Sequence, residues 1–210
     1  ITSPDVDGLL SAALMVQNYN ARLIGVYTTS HLILFDDFTS EAAKEALWVD
    51  HDISYPGIRC MGQHLVRIQV EDKLPTRHNP NFNPNLIWPV AWENCFNGRQ
   101  VSKVDKYPFA TIHYLMKGLG IEDPPKYSKA YSLLAHADGT WVTSYDYPYN
   151  CNQWREWMFD DWPGVINDLV DRTYADDRSL AVHLDILSDL LEAGISRGRS
   201  RKNVSQDIPS

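Results

Sequence analysis

The amino-acid sequence predicts an α/β fold, with a mainly parallel open sheet flanked by helices over residues 1–145 and a mostly helical C-terminal extension over 146–210. Three observations lead there. Short apolar or β-branched runs alternate with helical periodicity through the first fifty residues, the pattern of a sheet with helices on its faces. Nearly every strand-like run leads into an acidic residue. From Pro108 onward the pattern turns helical, closing on a long amphipathic stretch.

Ile1 to Ser3 reads as the end of a strand, and Leu9 to Tyr19 as a helix with Leu10, Leu14 and Val16 among its apolar positions. Gly8 allows a tight bend between the two. Leu23 to Thr28 is a β-branched and aromatic run, hence a second strand. Leu32-Ile-Leu-Phe is a continuous apolar strand ending on Asp36 and Asp37. Thr39-Ser40-Glu-Ala-Ala-Lys-Glu-Ala reads as a capped short helix, and Ala46-Leu-Trp-Val as a buried strand running into Asp50-His51-Asp52. From Ile53 to Lys106, Pro75, Pro80, Pro84 and Pro89 interrupt the chain and asparagines mark turns, so mostly loop is expected. Pro108 to Gly120 is a helix closed by Gly118 or Gly120, and Tyr127 to His136 a second one, with Asp138 at its exit. An aromatic segment from Trp141 to Trp162 precedes a helix from about Arg178 to Ile195 with Leu180, Leu184, Leu187 and Leu191 on one stripe.

Composition narrows the function classes. Hydrophobic residues make up 44% of the 210, with seven tryptophans, so a packed interior is expected. No run approaches the ~20 apolar residues that span a bilayer. No signal peptide is visible, and the three cysteines, Cys60, Cys95 and Cys151, form no Cys-x-x-Cys, which points to a reducing, cytoplasmic setting without structural zinc or disulfides. A net charge of −8 and a pI near 5.3 disfavour electrostatic binding of long nucleic acid. A phosphorylated small molecule or a short nucleic acid met through bound cations is compatible with that charge.

The chemistry resides in the strand-end residues. Asp5 and Asp7 come first, then Asp36, then Asp50 and His51, with Asp138 after a helix. In an open α/β sheet such ends share one edge and converge on a crevice. Carboxylates pointing one way repel each other unless a cation joins them, and Mg²⁺ or Mn²⁺ is the usual partner for oxygen ligands. Taken alone, Asp5 and Asp7 also read as helix-capping groups. The whole set suits two divalent ions about 3.5–4 Å apart.

In order and spacing the set resembles the DHH phosphoesterase superfamily, whose pattern is Pro-Asp-x-Asp-Gly, an Asp after a following strand, Asp-His-His and a later Asp. The counterparts are Pro4-Asp5-Val6-Asp7-Gly8, Asp36, Asp50-His51-Asp52 and Asp138. Tyr107 to Met116 resembles the helix that packs under the site, and Ser132 to Asp138 the lead into the last motif; the likeness covers about residues 1 to 145. It implies a hydrolase using one or two Mn²⁺ or Mg²⁺ ions: Asp5 would bind one, Asp7 the other, Asp36 would bridge them, and His51 and Asp138 would complete the second site. Asp50 would orient His51. A water between the ions would attack phosphorus in a nucleotide, a short oligonucleotide or a cyclic dinucleotide.

The sequence departs from that family at three points. Ile1 and Ser3 occupy positions where a first-metal ligand is expected, which leaves the site beside Asp5 loose or empty. Asp52 replaces a histidine that would contact the substrate phosphate, and no Gly-Gly-Gly-His run of the companion domain is present. A catalytically degenerate binding or assembly protein is therefore one alternative. Another is a haloacid-dehalogenase-like phosphatase, in which Asp5 would be a covalent nucleophile, but Pro4 before it and Leu9 after Gly8 fit that motif poorly.

The other polar residues have plainer readings. His113 is expected to be a packed or hydrogen-bonded histidine, and His136 either a helix-end residue or a group pointing into the Asp138 crevice. His64 and His78 fall in irregular sequence and carry no assigned role. The aromatic segment reads as core or interface before it reads as a platform for bases. Arg99, Lys103, Lys106 and the basic tail from Arg197 to Lys202 read as solvated surface.

Overall fold

The structure, a computed structural model, describes residues 1–53, 55, 57–64, 81–86, 106–158, 164–174 and 177–192. His78, Cys95, Arg99, Lys103, Trp162 and the basic tail lie outside the described residues.

Helix α1 (Val6–Tyr19) starts on Asp5, whose carboxylate accepts the Gly8 N–H at 2.9 Å. This satisfies one of the amides a helix start leaves without a partner. Its buried residues are Asp7, Gly8, Ser11 and Ala12, a face of small and polar groups that lets neighbouring backbone come close. Gly8 is required for that approach, because a Cβ there would stand 2.0 Å from Ser3 Oγ and 2.5 Å from the Ser3 carbonyl oxygen.

Strands β1 (Gly25–Tyr27) and β2 (Leu32–Leu34) pair antiparallel, with Gly25 opposite Leu34 and Tyr27 opposite Leu32. Helix α2 (Ser40–Glu45), capped by Thr39, leads to β3 (Leu47–Val49), which pairs in parallel with β4 (Arg59–Met61). Parallel pairing continues to β5 (Asn81–Phe82). Thr2 lies between the two groups, bridging Val26 and Val49 in parallel, with the Tyr27 N–H donating to its carbonyl at 2.9 Å.

The mixed α/β class is as predicted, but the sheet is smaller and less parallel than the sequence suggested. No described strand exceeds three residues, and β1–β2 is a hairpin. The reason is chain length: a parallel crossover needs about a dozen residues or more. Thr28 to His31 is far too short for one, and the Thr28 N–H closes the turn on the His31 carbonyl at 3.0 Å. Since β2 runs against β1, the residues after β2 emerge where β1 begins. The ends of the Thr2 segment and of β3 lie at the opposite edge.

The helical part follows. Helix α3 (Thr111–Leu119) ends at Gly120, whose φ of 65° suits glycine. Helix α4 (Lys129–His136) begins on Ser128 and passes through a 3-10 turn (Ala137–Gly139) into α5 (Thr140–Asp146). Helices α6 (Pro148–Met158), α7 (Val165–Val170) and α8 (Asp177–Glu192) complete it. One hydrophobic core joins Val49, Tyr107, Phe109, Ile112 and Leu134 to Cys151, Trp154, Val165 and Leu169. Residues on both sides of position 145 therefore share an interior. Trp154 is fully buried, edge-on to Tyr107 at 5.1 Å, whereas Tyr145, Tyr149 and Trp157 of the same aromatic segment are exposed.

Candidate functional site

The turn after the Thr2 bridge, the end of β3, the start of α3 and the turn after α4 meet at one sheet edge. Asp5, Asp7, Asp50 and Asp138 lie there and sense one another's charge.

Asp50 leaves β3 with φ of 58°, a left-handed turn that sends it and His51 to different surroundings. Asp50 is buried: one oxygen accepts from Ser3 Oγ, the other from Thr111 Oγ1 at 2.9 Å, and His64 Nε2 lies 3.3 Å away. Burial alone would raise the Asp50 pKa, but these bonds and the His64 charge carry it below the ordinary carboxylate value. His64 shows the reciprocal effect. Burial works against its charged form, yet the bond to Asp50 and the fields of Asp138 and Asp50 raise its pKa.

The remaining carboxylates shift upward. Burial, then the Asp50 charge, raises Asp5; the same causes raise Asp7 well above the usual value. Burial also raises Asp138, and Gln63 Nε2 donates to its carboxylate at 2.5 Å. Ser3 Oγ lies within hydrogen-bond reach of both Asp5 (3.0 Å) and Asp50. A hydroxyl has one proton to donate but also accepts, so the second contact is met by a protonated carboxyl donating to Ser3 Oγ, the form that the raised Asp5 pKa favours.

The sequence-predicted residues separate into distinct environments. Asp7 is tied to α3: its carboxylate accepts the Thr111 N–H at 2.7 Å and the Ile112 N–H at 2.8 Å, with Ser11 Oγ at 3.3 Å. Asp36 is not part of the cluster. It follows β2 to the other edge and pairs in solvent with Arg22 at 3.0 Å, so the bridging position the resemblance implied is corrected by the direction of that strand. His51 is buried beside Tyr27 and Trp48, with ring centroids 5.3 and 5.9 Å away. Burial lowers its pKa against the pull of Asp50, and its Nε2 has no hydrogen-bond partner among the described residues.

Asp52 accepts the His64 N–H at 2.8 Å and an Asn83 amide N–H at 2.8 Å. It holds the Gly62–His64 turn at the site. Gly62 has to be small here, since a Cβ would stand 2.7 Å from the His51 carbonyl carbon and oxygen. His136 stacks on His183 with centroids 4.0 Å apart, and His113 is a packed residue as expected, its Nε2 3.0 Å from the Leu134 carbonyl.

His64 and Gln63 are what sequence reasoning missed. Both follow β4, and the rule that strand ends carry the chemistry would have found them. Arg59-Cys60-Met61 is too short and too mixed in character to read as a strand before its partners are known.

Beside the cluster lies a cleft of about 600 Å³, whose walls include Asp5, Gln63, Lys106, His136, Asp138 and Tyr147. Its size suits a small ligand. The donor set, hard carboxylate oxygens in excess negative charge, fits a divalent cation such as Mg²⁺ or Mn²⁺. As placed, no three carboxylate, imidazole or thiol groups among the described residues form a ready coordination sphere. Nor is any described helix long and apolar enough to cross a membrane. Compared with known proteins, the chain matches no family model, no curated protein and no solved structure.

Proposed function

We propose that the protein is a divalent-cation-dependent phosphoesterase acting on a nucleotide, a short oligonucleotide or a cyclic dinucleotide. One observation carries the reading: carboxylates from the first turn, from the end of β3 and from the turn after α4 are gathered at one sheet edge, at an energetic cost visible in the raised pKa values of Asp5 and Asp138, and these two line a small-molecule cleft. Groups in a cleft whose charged forms are disfavoured by burial and by each other are candidates for a functional site. The resemblance to DHH phosphoesterases supports the same chemistry.

Asp5, Asp50 and Asp138 would hold a Mn²⁺ or Mg²⁺ ion. Such an ion, when bound, supplies a water ionisable near neutral pH and neutralises charge on phosphoryl oxygens. His64, whose charged form Asp50 favours, would donate to a phosphate oxygen, the task the family gives to the histidine that Asp52 replaces here. Gln63 fixes the Asp138 carboxylate, and Lys106 on the cleft wall adds positive charge towards an anionic substrate.

A second reading, a cation-binding relative without hydrolytic activity, is favoured by the engagement of Asp7 with α3 and the departure of Asp36. Two ions then lack ligands, and a single ion has to serve. Mn²⁺-dependent cleavage of a short oligonucleotide, lost in Asp50→Ala and Asp138→Ala, is the expected result. Calorimetry showing no Mn²⁺ binding to the wild-type chain would end the enzyme reading; Mn²⁺ binding without turnover of any phosphoester would leave the second.

A further inference from the structure

Two peptide units carry polar groups of the acidic site. The Gln63–His64 unit follows β4 and brings Gln63 to Asp138 and His64 to Asp50, and the Lys106–Tyr107 unit lies on the cleft wall ahead of α3. Neither belongs to a helix or a strand, so no regular ladder holds it. Side chains do so instead. The Gln63 carbonyl accepts from Asn85 Nδ2 at 2.7 Å, and the His64 N–H donates to Asp52 at 2.8 Å. In the other unit the Tyr107 N–H donates to Asn85 Oδ1 at 2.6 Å, and the Lys106 carbonyl accepts from Asn150 Nδ2 at 2.7 Å. Asn85 therefore holds one end of each unit, a task for which an amide side chain carries donor and acceptor side by side.

Asn85 is itself fixed in place. It stands in the 3-10 turn after β5 (Pro84–Leu86), where Pro84 has no N–H with which to extend the parallel pairing of β4 and β5. The Asn85 N–H donates to Asn83 Oδ1 at 2.9 Å, and Asn83 Nδ2 donates to Asp52 at 2.8 Å. The path from Asp52 through Asn83 to Asn85 thus returns to the peptide unit where it began. Gln63, Asn83 and Asn85 are at most 1% exposed. Buried polar groups paired in this way keep one arrangement rigidly, whereas an apolar residue at 85 would leave the Gln63 carbonyl and the Tyr107 N–H without these partners.

We propose that Asn85 is a positioning residue of the acidic site: it sets the spacing between the Gln63–His64 and Lys106–Tyr107 units and, through Gln63, the orientation of the Asp138 carboxylate. The inference rests on the phosphoesterase reading and deepens it, because it names a residue outside the cleft on which the cation site depends. Spacing matters here, since the Lys106 charge is felt at both Asp138 and His64. A displacement of one unit then changes the field at the other. Gln63 is the link to the cation: its side chain meets Asp138, and its carbonyl is the atom that Asn85 holds.

Two variants of the full chain test it. Asn85→Ala removes both bonds; Asn85→Asp keeps the shape and the acceptor for Tyr107 but, once ionised, cannot donate to the Gln63 carbonyl. Each is titrated with Mn²⁺ by calorimetry at about pH 8, the Asp carboxyl being ionised there, with a far-ultraviolet spectrum and a melting curve to establish folding. Mn²⁺ affinity is expected to fall about tenfold or more in both, and the rate of Mn²⁺-dependent oligonucleotide cleavage at saturating Mn²⁺ to fall about 10- to 10²-fold. The effect should travel through Gln63, so in a Gln63→Ala chain the further change Asn85→Asp is expected to leave Mn²⁺ affinity where Gln63→Ala put it. Wild-type Mn²⁺ affinity in the folded variants, or a loss that adds in full to that of Gln63→Ala, makes Asn85 a stabilising residue only and overturns the inference while the phosphoesterase reading stands. If Asn85→Ala does not fold, the isosteric Asn85→Asp decides; failure of both to fold assigns Asn85 to the fold and overturns the inference as well. A wild-type chain that binds Mn²⁺ but cleaves no phosphoester ends the phosphoesterase reading, and the affinities still decide the role of Asn85. A wild-type chain that binds no Mn²⁺ overturns both.

Discussion

Asp7, in the first turn of α1, accepts the backbone N–H of Thr111 at 2.7 Å and so caps a helix that begins more than a hundred residues later. The carboxylate serves as the N-terminal acceptor of α3, and the positive end of that helix faces it. Asp7→Ala would leave two buried amides without acceptors and is expected to destabilise the fold by about 2–4 kcal/mol. Asp7→Asn keeps one acceptor oxygen and is expected to lose roughly half as much. Urea denaturation of the two variants checks this; equal losses would mean that the carboxylate acts by charge alone.

Asp36 predicts the opposite. Its partner is Arg22, and the side chains are 70% and 69% exposed. Exposed pairs contribute ~0–1 kcal/mol. Asp36→Ala is expected to leave stability and Mn²⁺ affinity close to wild type, while Asp50→Ala abolishes cation binding. A loss of Mn²⁺ affinity in Asp36→Ala would restore the bridging role that the motif order suggested.

His64 is the residue to remove in order to separate binding from turnover. Its Nε2 lies 3.3 Å from Asp50 and its side chain is 45% exposed. His64→Gln is expected to lower the rate of Mn²⁺-dependent hydrolysis by about 10²-fold, the scale of a lost charged donor at a reacting phosphate. Mn²⁺ affinity should change much less. A rate unchanged in His64→Gln would remove the imidazole from the mechanism.

Cation binding should release protons. Asp5 and Asp138 have pKa values raised by burial and by neighbouring charge, and a ligating carboxylate has to be ionised. Mn²⁺ affinity is therefore expected to rise with pH across the range where these groups deprotonate. Calorimetry in buffers of different ionisation enthalpy counts the protons, and a count of zero would mean that the site is already fully ionised.

His113 sets a pH limit on the fold. Its ring is buried, Nδ1 accepts the Ala110 N–H at 3.1 Å, and burial pushes its pKa from 6.5 down to about 4. As pH falls the unfolded chain takes up the proton first. The stabilisation is therefore complete above pH 6.5 and is lost between 6.5 and 4, a change of about 3 kcal/mol. Denaturation midpoints measured across that window check it, against a His113→Gln variant whose profile should be flatter.

Periodicity and capping made the helices legible. Thr39 and Gly120 stand at helix ends where sequence reasoning placed such ends, because these caps act on residues a few positions away; the helix expected from Tyr127 begins on Ser128. The carboxylates Asp5, Asp7 and Asp50 were legible for a related reason: a polar residue directly after a short apolar run has to lie at the rim of a sheet, and Asp138 was legible as the acidic residue at a helix exit. Local sequence could not disclose the direction of each strand. Asp36 follows a strand as well formed as the one before Asp50, yet the short β1–β2 turn reverses it and carries the aspartate to the other edge.

By itself, the sequence determined an acidic α/β chain with a helical C-terminal part and a set of carboxylates at strand ends. Tertiary structure decided which of them meet. It tied Asp7 to the amides of α3, turned Asp36 out to Arg22, and brought His64 to Asp50 through a strand too short to read. The physical reason is that hydrogen-bond partners in a sheet, and the carboxylate that meets the amides at the start of α3, are supplied by residues distant in sequence. Helix periodicity, by contrast, is fixed within a few residues of chain.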